Sequence, residues 1–389
     1  GSTDRSTIAS YVPPIYRRVI VSCREFGGQI LSRPNARRMA FLAATFAVGF
    51  VILAVCSISY RRSTRPMIIV SSPRPALSEY LVPTPLGYPY DIAIDKRGKV
   101  WFSELDGIKI GCFDPSTRTF KEFPLPPSVF GPLGIEFDSE GMLWIATPPN
   151  KILRFDPYTT RYATYEIPGE GTFDIAVDEK GNVWYTVFSG NKVGKLEPNT
   201  GLVEDYLIPT FNSQPACLDI DEGGLIWFTE FNASKIGCFD PNKKSFDEYE
   251  LTLGSAPFGI TVDRHGVVWF TEHKANKVGK IVPSQLAISE YQLPHLNSGP
   301  RGIAADDHGL VWFTEFDGER VVRIDPESET FLEVSLPLDS GPSRIVVDSE
   351  GVVWFTESRG NRIGRLTHPQ TGVLHLVHKP ATQCTFSPS

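Results

Sequence analysis

Histidine, cysteine and methionine are scarce in this sequence, and positive charge is not in excess. The 389 residues include 7 His, 6 Cys and 3 Met, and the formal net charge at pH 7 is −7. The Lys and Arg residues are scattered, which argues against the basic surface that binds nucleic acid. The His residues lack the spacing of zinc sites, and the Cys residues form no close, even-numbered disulfide framework. We therefore expect no nucleic-acid partner and no metal site of that kind.

Long hydrophobic runs are also lacking, with one exception near the start of the chain. The segment from Met39 to Tyr60 contains no charged residue and lies between two pairs of arginines. Its length suits one membrane-spanning helix. A cleaved signal peptide is the alternative. We predict an Arg-rich tail over 1–38, a transmembrane helix over 39–60 and a linker over 61–76.

The charges around this segment give only a slight indication of its orientation. Equal numbers of arginines lie close to its two ends, but the tail before it contains three more. Because Lys- and Arg-rich segments remain on the cytoplasmic side, we expect the rest of the chain to be periplasmic or extracellular. An Arg-rich, acid-poor tail is also typical of organelle targeting, so an organelle inner membrane is the alternative location.

All seven tryptophans recur at one place in an internal repeat. Their spacings are 43, 40, 43, 42, 43 and 42 residues. A period of about 40 to 45 residues built from short apolar runs is typical of propeller blades. The sequence therefore predicts an all-β fold, a seven-bladed β-propeller over 77–380, followed by a tail over 381–389. The tryptophans are Trp101, Trp144, Trp184, Trp227, Trp269, Trp312 and Trp354.

Each repeat contains four short runs rich in β-branched and aromatic residues, with a turn-forming residue at every boundary. These runs predict four antiparallel strands per blade. An Asp-x-x-Gly element closes the first hairpin, because Asp bonds its own backbone and Gly accepts a positive φ, so calcium is not needed there. The tryptophan rings are expected to pack between neighbouring blades.

Closure of the ring requires one terminal segment to complete the last blade. Residues 77–83 (LSEYLVP) resemble the fourth strand of the repeat but precede the first repeat. Residues 373–377 compete for the same place. Either pairing would remove a long exposed sheet edge.

One face of the predicted propeller collects ionisable side chains where the second strands end. A carboxylate follows Trp-Phe-Thr or its equivalent in five blades, at Glu104, Glu230, Glu272, Glu315 and Glu357, whereas Thr147 and Val187 replace it in two. Each blade also places one cation nearby, at Lys109, Lys151, Lys192, Lys235, Lys277, Arg320 and Arg362. Such a ring can bind a polar ligand or a divalent ion. Exposed pairing of each Glu with a cation is the structural alternative.

The mouth of the central channel is expected on the same face. Its lining is mainly apolar and aromatic with one cation, which suits an apolar or anionic ligand or a protein partner. The residues that follow the start of each inner strand are Tyr90, Leu133, Phe173, Ala216, Phe258, Arg301 and Ser343. Two histidines also fall on this face, and a catalytic cluster is predicted from Glu272, His273, His295 and Glu315. Solvated loop histidines are the alternative.

The repeats resemble the virginiamycin B lyase family over roughly residues 77–378. The resemblance lies in the motif Val-Trp-Phe-Thr-Glu followed by Asn-Lys-φ-Gly, where φ is an apolar residue. The resemblance implies elimination that opens the ring of streptogramin B antibiotics, with magnesium and a general-base His. It places that His directly after the inner-strand Pro, and a Glu at the end of Trp-Phe-Thr-Glu. Five blades here keep the Glu, but no blade has the His, because the seven mouth residues occupy its positions.

These observations predict a membrane-anchored, extracytoplasmic binding or protein-interaction module, such as an accessory subunit of a membrane complex. Its expected partners are the membrane, through one helix, and a protein or small ligand at the mouth, with no cofactor. The alternative is a divergent carbon–oxygen lyase or lactonase that acts on cyclic esters with Mg²⁺. That enzyme would use the predicted catalytic cluster.

Overall fold

The computed structural model describes residues 75–367 and the backbone of 61–65 and 68–69. The predicted spanning segment 39–60, the tail 1–38 and the competing segment 373–377 lie outside the described residues. No helix in the described part of the chain is long and apolar enough to cross a membrane.

Seven antiparallel sheets follow one another along the chain, and each is one blade, as the repeat predicts. Three strands precede the first blade: β1 (Arg61–Arg65), β2 (Ile68–Ile69) and β3 (Ala76–Leu81). Blade 1 contains β4 (Pro89–Ile94), β5 (Val100–Glu104), β6 (Lys109–Asp114) and β7 (Thr119–Pro124). Blade 2 contains β8 (Ile135–Phe137), β9 (Leu143–Thr147), β10 (Lys151–Asp156) and β11 (Arg161–Glu166). Blade 3 contains β12 (Thr172–Val177), β13 (Val183–Val187), β14 (Lys192–Glu197) and β15 (Leu202–Leu207).

The remaining blades repeat this order from the axis outwards. Blade 4 contains β16 (Pro215–Ile220), β17 (Ile226–Glu230), β18 (Lys235–Asp240) and β19 (Ser245–Glu250). Blade 5 contains β20 (Pro257–Val262), β21 (Val268–Glu272), β22 (Lys277–Val282) and β23 (Ala287–Gln292). Blade 6 contains β24 (Pro300–Ala305), β25 (Val311–Glu315), β26 (Arg320–Asp325) and β27 (Thr330–Ser335). Blade 7 contains β28 (Pro342–Val347), β29 (Val353–Glu357) and β30 (Arg362–Thr367), with β3 as its fourth strand.

The pairing of β3 with β30 closes the ring. It is antiparallel and runs from Ala76 opposite Thr367 to Leu81 opposite Arg362. The Thr356 hydroxyl of blade 7 also donates to the Tyr90 carbonyl of blade 1 at 2.9 Å. The segment 77–83, one of the two alternatives for this place, therefore supplies the closing strand.

The first two strands extend blades 5 and 6 outwards. β1 pairs in parallel with β23, and β2 pairs in parallel with β27. Both lie within the range predicted as a linker, which therefore includes two short strands. The fourth strand of a blade leaves the backbone N–H and C=O groups of its outer edge unpaired. An extended segment of chain can form hydrogen bonds with this edge, as β1 and β2 do.

The tryptophans pack between blades as predicted, and each makes a bond that the sequence analysis missed. Trp101, for example, belongs to one buried cluster with Leu143 and Phe155 of blade 2. In all seven blades the indole N–H donates to the Asp of the Asp-x-x-Gly turn, at 2.8 to 3.3 Å. The other oxygen of that carboxylate accepts backbone N–H bonds of the turn, as in Asp95 with Arg97 at 2.8 Å. One carboxylate therefore fixes both the turn and the buried ring.

The third strand passes close to the aromatic residue of the second strand. A Cβ at Gly237 would overlap with the ring of Phe228, and the same overlap occurs in four other blades. Blade 2 has Leu153 at the glycine position and Ile145 opposite. Glycine leaves room for the ring in these five blades, whereas blade 6 accommodates Val322 opposite Phe313.

Hydroxyl groups in the second strands join neighbouring inner strands. Thr271 accepts from the Gly259 N–H at 2.9 Å and donates to the Arg301 carbonyl of the next blade at 2.7 Å. Equivalent bonds recur at Thr186, Thr229, Thr314 and Thr356. The Thr of Trp-Phe-Thr-Glu thus sets the position of the residues at the mouth.

Candidate functional site

The seven predicted mouth residues lie where the inner strands begin, and all are buried. Their exposure is at most 9%. Six are the second residue of a first strand, and Leu133 lies just before β8. The inner-strand register therefore brings these side chains to one level around the axis.

Three of these side chains meet across the axis. Tyr90 of blade 1 contacts the edge of Phe173 of blade 3, with ring centroids 6.3 Å apart. Phe173 makes a similar contact with Phe258 of blade 5 at 6.0 Å. These edge-to-face contacts are favourable for aromatic rings. The side chains therefore fill the opening, whereas the sequence analysis expected them to line it.

A second layer at the mouth was missed by the sequence analysis. It consists of the residue after the second strand of each blade, namely Leu105, Pro148, Phe188, Phe231, His273, Phe316 and Ser358. Phe188 stacks on Phe173 at 5.3 Å, and Phe231 contacts Phe258 at 6.2 Å. Both Phe188 and Phe231 are partly exposed. Comparison of this single position across the repeats would have revealed its apolar character.

Cations lie against this aromatic surface on blades 6 and 7. The Arg301 guanidinium carbon is 3.4 Å from the Phe316 ring centroid and 5.8 Å from that of Phe258. Arg359 lies 4.3 Å from the same Phe316 centroid and donates to Asp317 at 2.6 Å. Such contacts stabilise a cation that has lost part of its hydration.

A buried ion-pair network connects three blades next to the aromatic residues. Arg344 of blade 7 lies 3.2 Å from Asp174 of blade 3 and 3.8 Å from Asp91 of blade 1. Asp91 also accepts the Ile135 N–H at 2.8 Å. Burial raises the pKa of Asp91 to about 6, although the nearby Arg344 lowers it. The network joins residues more than 80 positions apart, each one position further along its inner strand than a mouth residue.

The five Glu residues after Trp-Phe-Thr or its equivalent are fully buried, which contradicts the expectation of exposed pairs. Burial is the main reason that the pKa of Glu104 rises to about 7 and that those of Glu230 and Glu357 rise to about 8. Direct cation contacts occur at Glu315 with Arg320, at 2.9 Å, and at Glu357 with Arg362, at 3.4 Å.

The lysines of blades 1, 4 and 5 pair elsewhere. Each contacts a carboxylate of the fourth strand, as in Lys109 with Glu122 at 2.9 Å, Lys235 with Glu248 at 3.1 Å and Lys277 with Glu290 at 2.8 Å. Lys192 of blade 3 pairs in the same way with Asp205, at 2.9 Å. The predicted pairing of motif Glu with a cation is therefore found in blades 6 and 7, and the other pairs use the outer strand.

The predicted catalytic residues separate into two groups. His273 is buried at the mouth, 6.5 Å from the Phe258 ring centroid, and directly follows Glu272. Burial, together with the positive charge of Arg301, lowers the pKa of His273 to about 4. His295 instead lies 3.1 Å from Glu333 of the outer strand β27, and Glu315 contacts Arg320. Glu272 and Glu315 thus end equivalent second strands directly before mouth residues, whereas His295 pairs with the outer strand.

The residues at the mouth do not fit the magnesium ion that the resemblance implies. Within residues 75–367, no group of three or more His, Cys, Asp or Glu side chains is arranged to hold a metal ion. Arg301 also brings to the aromatic residues on the axis a positive charge that no carboxylate of the described residues pairs. Like charges in a partly buried site repel a divalent cation.

A separate cavity opens on the opposite face, among the Asp-x-x-Gly turns of blades 7, 1 and 2. Its volume is about 790 Å³, and its walls include Ile92, Val346 and Glu136. The Glu136 side chain is exposed to this cavity. Most other blades have a small or apolar residue at the position of Glu136. The cavity is therefore a feature of these particular blades and not of the repeat.

Known structures share this architecture. A streptogramin B lyase is 31% identical, with a TM-score of 0.70, over 76% of this chain and 98% of that chain. A catalytically inactive variant of Staphylococcus aureus virginiamycin B lyase, solved with quinupristin, is 26% identical, with a TM-score of 0.71, over 75% and 99%. An extracellular domain of a putative hybrid two-component system from B. thetaiotaomicron shares the fold at 17% identity, with a TM-score of 0.60, over 75% and 42%.

No curated protein sequence matches this chain. The model of the virginiamycin B lyase family matches residues 149–384, which is more than half of the chain. That range contains blades 4 to 7, in which Trp-Phe-Thr-Glu is kept in full. The chain belongs to the virginiamycin B lyase family.

Proposed function

We propose that this protein is a membrane-anchored, extracytoplasmic binding module whose propeller holds an apolar ligand or partner at its mouth. The observation that carries the proposal is the aromatic surface formed by Tyr90, Phe173 and Phe258 together with the partly exposed Phe188 and Phe231. Aromatic side chains dominate the binding energy of such sites, because each removes a large apolar area from water.

The ionisable groups at the mouth favour binding over elimination. A general base needs a pKa near the working pH. Arg301 occupies one of the positions where the resemblance places the base, and a guanidinium does not accept a proton. Burial raises the pKa of Tyr90 well above its ordinary value, so this phenol remains protonated. His273, with a pKa of about 4, is neutral but a weak base.

The second candidate function is a divergent lyase or lactonase. It is favoured by the position of His273 at the mouth, directly after the buried Glu272. In this case His273 would accept the proton, and Glu272 would be its neighbouring carboxylate. Turnover of a cyclic ester distinguishes this candidate from a binding module.

Membrane anchoring is supported by the uncharged segment 39–60 and by the arginines on both sides of it. A helix of this length and composition remains in the bilayer under conditions that release peripheral proteins. We expect the full chain to stay in the membrane pellet after alkaline carbonate washing. Complete release into the supernatant would contradict the anchor.

Binding of Nile red, a neutral apolar dye, tests the aromatic mouth. Phe188→Ser and Phe231→Ser are each expected to weaken saturable binding at least about fivefold, since burial of a phenyl ring contributes roughly 1.5–3 kcal/mol. Tyr158→Ser is the control, because Tyr158 is exposed on the opposite face. Equal weakening in the control, or unchanged binding in both mouth variants, would refute the proposal.

A further inference from the structure

We infer that the ligand of this mouth carries a carboxylate, which the Arg301 guanidinium binds beside the aromatic surface. The inference rests on the proposed function and specifies the chemistry of the ligand. Its physical basis is a buried cation at the binding surface whose charge the protein itself leaves without a carboxylate partner.

The position of Arg301 is fixed from both its backbone and its side chain. Its carbonyl accepts the hydroxyl of Thr271 at 2.7 Å, and its guanidinium carbon lies 3.4 Å from the Phe316 centroid. The residue is only 7% exposed. A planar guanidinium that is already held in place loses little conformational entropy when it binds a carboxylate.

The neighbouring arginines are neutralised within the protein, and Arg301 is not. Arg359 pairs with Asp317, and Arg344 pairs with Asp174. Among the ion pairs of the described residues, none joins Arg301 to a carboxylate, and its contacts with Phe316 and Phe258 supply only partial compensation. A buried charge without an opposite charge is costly, so an incoming carboxylate would gain a charge-assisted, two-point hydrogen bond.

The surroundings of Arg301 define the rest of the ligand. Phe258 lies beside the guanidinium, and Phe231 contacts Phe258. His273 adds no positive charge at neutral pH, because its pKa is lowered to about 4. The ligand class is therefore a carboxylate attached to an aromatic or aliphatic apolar body. An amine of the same shape is disfavoured by repulsion from Arg301.

Three matched probes test this chemistry: 3-phenylpropionate, 3-phenylpropan-1-ol and 3-phenylpropylamine. Their affinities for the full chain are measured by NMR titration. We expect the acid to bind at least about tenfold more tightly than the alcohol, since charge-assisted hydrogen bonds are roughly twice as strong as neutral ones. The amine should bind most weakly. Arg301→Gln should abolish the preference for the acid, whereas Arg301→Lys should retain part of it.

Arg97→Gln is the matched control, because Arg97 lies on the opposite face and donates to Tyr158 at 2.8 Å. It should leave all three affinities unchanged. Equal binding of acid and alcohol to the unaltered chain, or a preference that survives Arg301→Gln, would overturn the carboxylate inference while leaving the apolar binding site intact. Failure of all three probes together with mouth-independent binding of Nile red would refute the proposed function as well.

Discussion

Replacement of Glu230 by glutamine is expected to stabilise the propeller at pH 8, although it alters the repeated motif. Burial, and secondarily the charge of Glu248, raises the pKa of Glu230 from an ordinary 4.5 to about 8. Between these values the folded state holds a proton that the unfolded state has released. The contribution of this group to the free energy of unfolding is therefore fully present below pH 4.5. It is lost as the pH rises to 8, by roughly 1.4 kcal/mol per pH unit.

Glutamine does not titrate, so the variant should lose less stability over the same range. Blades 2 and 3 already have the neutral Thr147 and Val187 at this place, which shows that a charge is not needed for folding. The measurement is the melting temperature from pH 5 to pH 9, with Glu350→Gln as the control because Glu350 is exposed. A Glu230→Gln variant that is less stable than the parent at pH 8 would contradict the assignment of a buried, raised pKa.

Replacement of Arg344 by methionine is expected to destabilise the protein by about 3–5 kcal/mol, the usual result of removing one partner from a buried ion pair. Asp174 and Asp91 would then remain buried without their cation. Both carboxylates also accept backbone N–H groups of the next blade, from Leu218 at 3.2 Å and from Ile135 at 2.8 Å. The substitution therefore affects the contacts between blades and not only the side chain.

The pH dependence of this loss has a definite sign. The Asp91 pKa is about 6 with Arg344 present, and Arg344 lowers it. Removal of the cation raises this pKa further, so the variant should lose more stability as the pH rises above 6. The midpoint of urea unfolding at pH 5 and pH 8 measures the effect. Arg344→Met/Asp91→Asn/Asp174→Asn should recover much of the loss, and a loss no larger than that of Arg97→Met would contradict the network.

The sequence predicts the propeller well because each blade repeats the same local chemistry. Tryptophan spacing gives the number of blades, and the Asp-x-x-Gly turn gives the first hairpin. Residues 77–83 resemble the fourth strand of the repeat and so indicate the closing strand, which the structure confirms as β3. These are properties of neighbouring residues or of exact repeats, so one sequence is sufficient to reveal them.

The mouth is harder to predict, because it depends on which side chains meet across the axis. The repeat gives the level of Tyr90, Phe173 and Phe258 but not their mutual contact. The predicted pairing of each lysine with the Glu that ends the second strand was also wrong in part, for a geometric reason. Lys109 lies directly opposite Glu104 in the ladder, but its amine reaches diagonally to Glu122 on the fourth strand. Diagonal neighbours on one face of a sheet remain within reach of long side chains.

The most direct test of a binding module in this lyase family is incubation of the full chain with quinupristin, with and without magnesium. Liquid chromatography separates the intact antibiotic from its ring-opened product. We predict that quinupristin remains intact under both conditions, because the carboxyls with a pKa of about 7 to 8, such as Glu104 and Glu230, are fully buried and His273 is too weak a base. Ring opening by the unaltered chain that disappears in Glu272→Gln would contradict it.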